Sequence, residues 1–254
     1  MPSPDSDRLA VLIDADNAQS QVVAELLTEV ASYGTATVKR AYGDWTTSQL
    51  GRWKTVLHVH AIQPVQQFSY TSGKNATDSA LIIDAMDLLH SGRVDGFCLV
   101  SSDSDFTRLA TRIRESGLAV YGFGERKTPK PFVAACDKFI YTEILQRPEA
   151  AAGGVAAGAG ASAEAVGEAV AAIGVTLKQL GPALRAAIAA VDREDGWAPL
   201  SQVGTWLLKH DPSFDARNFG FKKLSDLVRA QAALELKTVP GSQGAHLYVR
   251  LREG

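Results

Sequence analysis

Residues 149–174 read EAAAGGVAAGAGASAEAVGEAVAAIG, with 12 alanines and 6 glycines in 26 positions. The run holds no aromatic residue and almost no large apolar one. Such a stretch buries too little surface to offset its ordering entropy. It predicts a linker, helical in part from Ser162 to Ala172, between a domain at 1–148 and a second at 175–254. Each domain must then build its own core. A chain of 254 residues that is 46% hydrophobic has material for two modest ones.

Charge excludes some classes. The formal net charge is -2, so a strongly basic whole-protein field is absent, and contact with nucleic acid falls to local patches or metal ions. Residues 1–148 carry 15 Lys/Arg and 17 Asp/Glu, and residues 175–254 carry 11 and 8, so the second domain is mildly basic at +3. Two cysteines make no disulfide framework, and no Cys/His cluster suggests zinc. No apolar run reaches the roughly 18 residues of a membrane span. The polar, acid-bearing segment Met1–Asp7 lacks the pattern of a secretory signal. The expectation is a cytoplasmic protein with no membrane partner.

The first domain alternates short apolar runs with helical patterns. Leu9–Ile13, Thr35–Ala41, Ala61–Val65, Phe97–Val100, Leu118–Phe123 and a short Phe139–Tyr141 read as strands. Helical patterns fall around 22–30, 48–56, 77–90 and 106–113. Strand and helix in alternation predict an α/β fold with a parallel sheet covered on both faces. Ligands of such sheets sit at the carboxyl ends of strands, where the strand order reverses.

Acids accumulate at two of those ends. The first strand runs out in Asp14-Ala15-Asp16-Asn17, and the fourth in Ser101-Ser102-Asp103-Ser104-Asp105. If the two strands are neighbours, Asp14 and Asp103 share a crevice, an arrangement that is costly unless a cation lies between them. Helix capping is the competing reading, and Asp16, Asn17 and Ser104 suit it. Asp78 decides between them. At 100° per residue it shares a helix face with Ile82, Ala85 and Leu89, while Asp84 and Asp87 fall on the other, solvated side. A carboxylate on the apolar side is partly desolvated unless it meets a cation or a cap. An acid in the first turn also favours the helix N-terminus for its own sake.

The segments LIDADNA, KRAYGDW, KNATDSALIIDAMDLL and LVSSDSDFTRLATRIRESGLAVYGFG, in this order, resemble a NYN domain of the PIN-like nuclease superfamily, in its LabA-like branch. The resemblance covers most of 8–142. It implies a PIN-like three-layer α/β fold with strand order 3-2-1-4-5, an acidic site for Mg²⁺ or Mn²⁺, and RNA hydrolysis leaving 5′-phosphate and 3′-hydroxyl ends. The acids matching the family's motif are Asp14, Asp78, Asp103 and Asp105, implied as catalytic and metal-binding, with Asp16 and Asn17 flanking the site and Asn17 a candidate substrate contact. Lys39, Arg40 and Lys74 lie near the same edge as candidate phosphate contacts, as do Arg126, Lys127 and Lys130; surface solubility is the alternative for each. Burial is the favoured reading of Tyr42 and Trp45 over base stacking.

In the second domain, Leu177–Val191 and Ser201–Lys209 read as helices, and Phe219–Val228 opens a third. Leu234–Val239 and Leu247–Leu251 read as strands joined through a Gly-containing turn. Three helices followed by a β-hairpin make a winged-helix layout. The run PLSQVGTWLLKHDPSFDARNFGFKKLSDLV resembles a LOTUS, or OST-HTH, domain, which implies RNA binding or, in some members, a protein partner. Lys222, Lys223 and Arg229 are the candidate phosphate contacts, against the alternative of a solvated helix face.

The leading expectation is a metal-dependent endoribonuclease with an attached RNA-binding module. A non-catalytic RNA-binding or regulatory protein with a vestigial acidic site is the rival. Asp14-Ala15-Asp16 also suggests a haloacid-dehalogenase-like phosphatase. Ala18 stands where that motif wants Thr or Val, and no lysine motif is well placed.

Overall fold

The computed structural model describes residues 6–68, 76–146, 177–192, 196–241 and 244–252. The chain divides into two compact units, Met1–Gln146 and Arg147–Gly254. The Ala/Gly-rich stretch, with its expected helix, lies outside the described residues.

The first unit is built on six strands: β1 (Arg8–Asp14), β2 (Thr35–Gly43), β3 (Gln63–Gln66), β4 (Gly96–Val100), β5 (Ala119–Gly124) and β6 (Lys138–Tyr141). Their order is β3-β2-β1-β4-β5-β6, and every neighbouring pair is parallel. The order reverses between β1 and β4. Successive side chains of a strand face opposite sides. Ala10, Leu12, Phe97 and Leu99 therefore join one core with helices α3 (Ala76–Ser91), α4 (Thr107–Glu115) and α5 (Lys130–Ala135). Leu9, Val11, Ile13, Cys98 and Val100 join the other with α1 (Val23–Val30), α2 (Trp53–Val59) and α6 (Thr142–Leu145). The result is the three-layer PIN-like α/β arrangement.

Several element bounds depart from the sequence reading. The expected helix at 48–56 is a 3₁₀ turn, Gln49–Arg52, followed by α2. The strand expected from Ala61 starts at Gln63, because Ala61 takes the left-handed backbone conformation (φ 50) that closes a helix.

The second unit has α7 (Leu177–Val191), β7 (Ala198–Pro199), α8 (Leu200–His210), α9 (Leu224–Arg229), β8 (Leu234–Gly241) and β9 (Gly244–Leu251). Leu180, Leu184, Ile188, Val203, Leu207, Leu227 and Val249 form its core. The third helix does not begin at Phe219. That residue ends a 3₁₀ turn, Gly220 takes φ +85, and α9 starts at Leu224. The hairpin is joined by β7 into an antiparallel sheet of order β7-β9-β8, where the sequence suggested two strands only.

Close approach explains one glycine. A Cβ on Gly122 of β5 would lie 2.4 Å from Phe139 Cδ2 and 2.7 Å from Cys136 Sγ. Gly122→Ala is therefore expected to destabilise the first unit by about 1–3 kcal/mol, read from its denaturant midpoint. An unchanged midpoint would mean that Phe139 yields at no cost.

Candidate functional site

The site grows from strand parity. Asp14 follows Ala10 and Leu12, and Ser101 follows Phe97 and Leu99, so both turn towards the α3 layer. Asp14 is fully buried. Its Oδ2 accepts hydrogen bonds from Asn17 Nδ2 (2.9 Å) and Ser101 Oγ (2.8 Å), and its Oδ1 accepts from the Asn17 backbone N–H (3.3 Å). Burial still holds its pKa above the ordinary carboxylate value, with the charge of Asp16 adding to the effect.

Asp78 stands in the first turn of α3, with Leu81, Ala85 and Leu89 buried on its side. Only 9% of it is exposed. Its pKa is pushed up to about 6, first by burial and then by the charges of Asp14, Asp103, Asp105 and Asp16. The carboxylates of Asp78, Asp103 and Asp105 each offer an oxygen within 4.8 Å of the others. Three of the four acids expected at a metal site thus converge, and the fourth, Asp14, sits behind them as a buried charge. This grouping arises because β1 and β4 are neighbours and α3 starts over their carboxyl ends.

Caps form differently from the sequence reading. Asp103, not Ser104, caps the 3₁₀ turn Ser104–Phe106, its Oδ1 accepting the Asp105 N–H at 2.9 Å. The Asp103 N–H in turn donates to Ser101 Oγ at 3.1 Å. Asp16 accepts a hydrogen bond from Thr77 Oγ1 (3.0 Å), and Asn17 serves Asp14, so neither caps a helix. Ser101 and Thr77 went unnoticed in the sequence. Ser101 was legible, since it lies in phase with Phe97 and Leu99, one residue beyond β4.

The expected phosphate contacts are scattered. Lys39 Nζ donates to the His60 carbonyl at 2.5 Å, on the α2 side of the sheet. Arg40 forms an ion pair with Asp84 on α3, and the buried Tyr42 hydroxyl donates to the same carboxylate. Asp84 is therefore no solvated-face residue: its position opposite β2 makes it a tether, while Asp87 is exposed as read. Lys74 lies outside the described residues. Arg126 lies over the Tyr141 ring, and Lys127 pairs with Glu125. Trp45 is half-buried, its indole N–H donating to the Val65 carbonyl. Lys222 and Lys223 are exposed, just ahead of α9 in the second unit.

Acids gathered where the strand order of a three-layer parallel sheet reverses define a PIN-like domain with an acidic site. The family model of the NYN domain matches residues 8–145, and that of the OST-HTH/LOTUS domain matches 176–245. The chain belongs to the NYN domain family, in the PIN-like nuclease superfamily, and carries an OST-HTH/LOTUS domain after it. Similar solved structures include a protein of unknown function from Vibrio parahaemolyticus RIMD 2210633 (21% identity, 55% of this chain and 94% of that chain, TM-score 0.45). Two solution NMR structures are similar as well. One, from Chromobacterium violaceum, is 41% identical over 30% of this chain and 82% of that chain (TM-score 0.27). The other, an uncharacterized protein from Nitrosomonas europaea, is 35% identical over 32% and 76% (TM-score 0.27). No curated protein matches the chain. No helix among the described residues is long and apolar enough to cross a membrane.

The raised pKa of Asp78 fixes the sign of a pH effect. Between its ordinary value of 3.8 and about 6 the folded chain holds more of this proton than the unfolded chain. The contribution of Asp78 to stability therefore falls as pH rises through that window. In chelator, Asp78→Asn is expected to melt a few degrees above the wild type near neutral pH and with a flatter pH profile. Added Mg²⁺ or Mn²⁺ should raise the wild-type melting temperature more than that of the variant. A variant melting no higher than the wild type in chelator would refute this reading.

Proposed function

We propose that this protein is a metal-dependent endoribonuclease. The convergence of Asp78, Asp103 and Asp105 over the buried Asp14 carries the proposal. Oxygen donors alone, in a group whose mutual repulsion a cation would relieve, suit a hard divalent ion such as Mg²⁺ or Mn²⁺. Bound there, such an ion would supply charge screening of a phosphodiester and a more acidic water.

The protein's own groups have distinct tasks. Asp78 and Asp103 hold the ion from α3 and from the end of β4. Asp105, the most exposed of the three, is the supporting ligand facing substrate. Asp14 adds negative charge from behind, held in place by Asn17 and Ser101. Because Ser101 also receives the Asp103 N–H, one hydroxyl aligns both strand ends. The mildly basic second unit, as an OST-HTH/LOTUS domain, holds the RNA. Two free, buried thiols, Cys98 and Cys136, suit a reducing, cytoplasmic setting.

The test is cleavage of single-stranded RNA with Mg²⁺, Mn²⁺ or chelator. The wild type should cut only with metal. Asp103→Asn should lose more than the roughly 10–100-fold typical of removing an outer partner of a metal site, with an unchanged circular dichroism spectrum. Asp105→Asn should lose less. Equal turnover by Asp103→Asn, or cutting in chelator, would sink the proposal.

A further inference from the structure

The outer face of the second unit's sheet has no role so far. Alternation along β8 and β9 sends Leu234, Leu236, Leu247 and Val249 into the core. Glu235, Lys237, Tyr248 and Arg250 then share the opposite face, with Lys237 paired to Tyr248 and Glu235 to Arg250 in register. Trp197, just ahead of β7, joins them. Lys237 Nζ lies 4.4 Å and Arg250 Cζ 4.7 Å from the Trp197 ring, and Lys237 Nζ lies 5.9 Å from the Tyr248 ring.

Lys237 is a cation ordered by two aromatic rings, and Arg250 one ordered by a ring and a carboxylate together. A ring orients a cation without cancelling its charge, whereas a carboxylate cancels it. Lys237 is held in this way, and Arg250 is also paired with Glu235 at 2.8 Å. The exposed His246 lies in the same alternation. Rings and fixed positive charge together match unpaired bases and the phosphates between them. Among the described residues no ring lies over Lys222 or Lys223, and Phe221 packs against the core.

We infer that the sheet face around Trp197, Lys237, Tyr248 and Arg250 is the surface on which the second unit grips single-stranded RNA. The choice of RNA rests on the ribonuclease reading; the choice of face rests on the geometry above.

Binding of the full-length chain to a fluorescein-labelled single-stranded RNA is measured by anisotropy in EDTA, where the acidic site repels phosphate and cutting is suppressed. Lys237→Gln and Tyr248→Leu are each expected to weaken binding about tenfold. Lys237→Gln should also reduce the slope of log affinity against log salt by about 0.7. The double variant Lys222→Gln/Lys223→Gln should change affinity by less than about threefold, by the same count of contacts. Duplex RNA of the same sequence should compete poorly.

Wild-type affinity in both sheet variants, with native circular dichroism, would overturn the inference. So would equal competition by duplex. A wild-type chain that binds no RNA in EDTA would overturn it in favour of a protein ligand. Cleavage with Mg²⁺ is scored separately: RNA bound at this face but never cut defeats the ribonuclease reading and supports this one.

Discussion

Like-charge repulsion at the carboxyl edge of the sheet is the constraint around which the first unit is arranged. Two carboxylates 4 Å apart repel by about 4 kcal/mol at an effective dielectric of ~20. A whole domain is stable by only about 5–15 kcal/mol. Several acids within 4.8 Å of one another therefore need relief, and the structure supplies part of it. Asn17 and Ser101 donate to Asp14, Thr77 donates to Asp16, and the Asp105 N–H donates to Asp103. The charges of Asp14, Asp103, Asp105 and Asp16 all push the pKa of Asp78 up. The repulsion is felt most by the acid that α3 delivers to the group, which holds its proton to higher pH than an ordinary carboxyl.

The gathering of the acids, though not the hydrogen bonds that relieve it, was legible in the sequence because it depends on local pattern. Continuous apolar runs, the mark of strands buried on both faces, placed β1 and β4, and a period of 3.6 set Asp78 on the apolar side of its helix. The reversal of strand order between β1 and β4 then converts three sequence-distant segments into one site. The short motifs also sufficed for the family, since each holds an acid and the strand or helix that aims it.

What escaped the sequence was pairing between elements. Asp84 has the spacing of a solvated residue, and only the apposition of α3 with β2 gives it Arg40 and Tyr42 as partners. Lys39 and Arg40 are adjacent in β2, so strand alternation sends them to opposite layers, away from any common phosphate. β7 is two residues long and includes a proline, too short for any period to register. The cluster around Trp197 depends on the β8–β9 register, which no single strand reveals.

The link from Asp84 to Arg40 and Tyr42 has a bearing on how the domain tolerates change. Asp84 lies six residues after Asp78, about 9 Å further along the helix axis. The helix is thus fastened to the sheet by polar contacts within its own length as well as by its apolar side. The setting of Asp78 over the carboxyl ends of β1 and β4 is consequently shared between the apolar side of α3 and the Arg40–Asp84 contact.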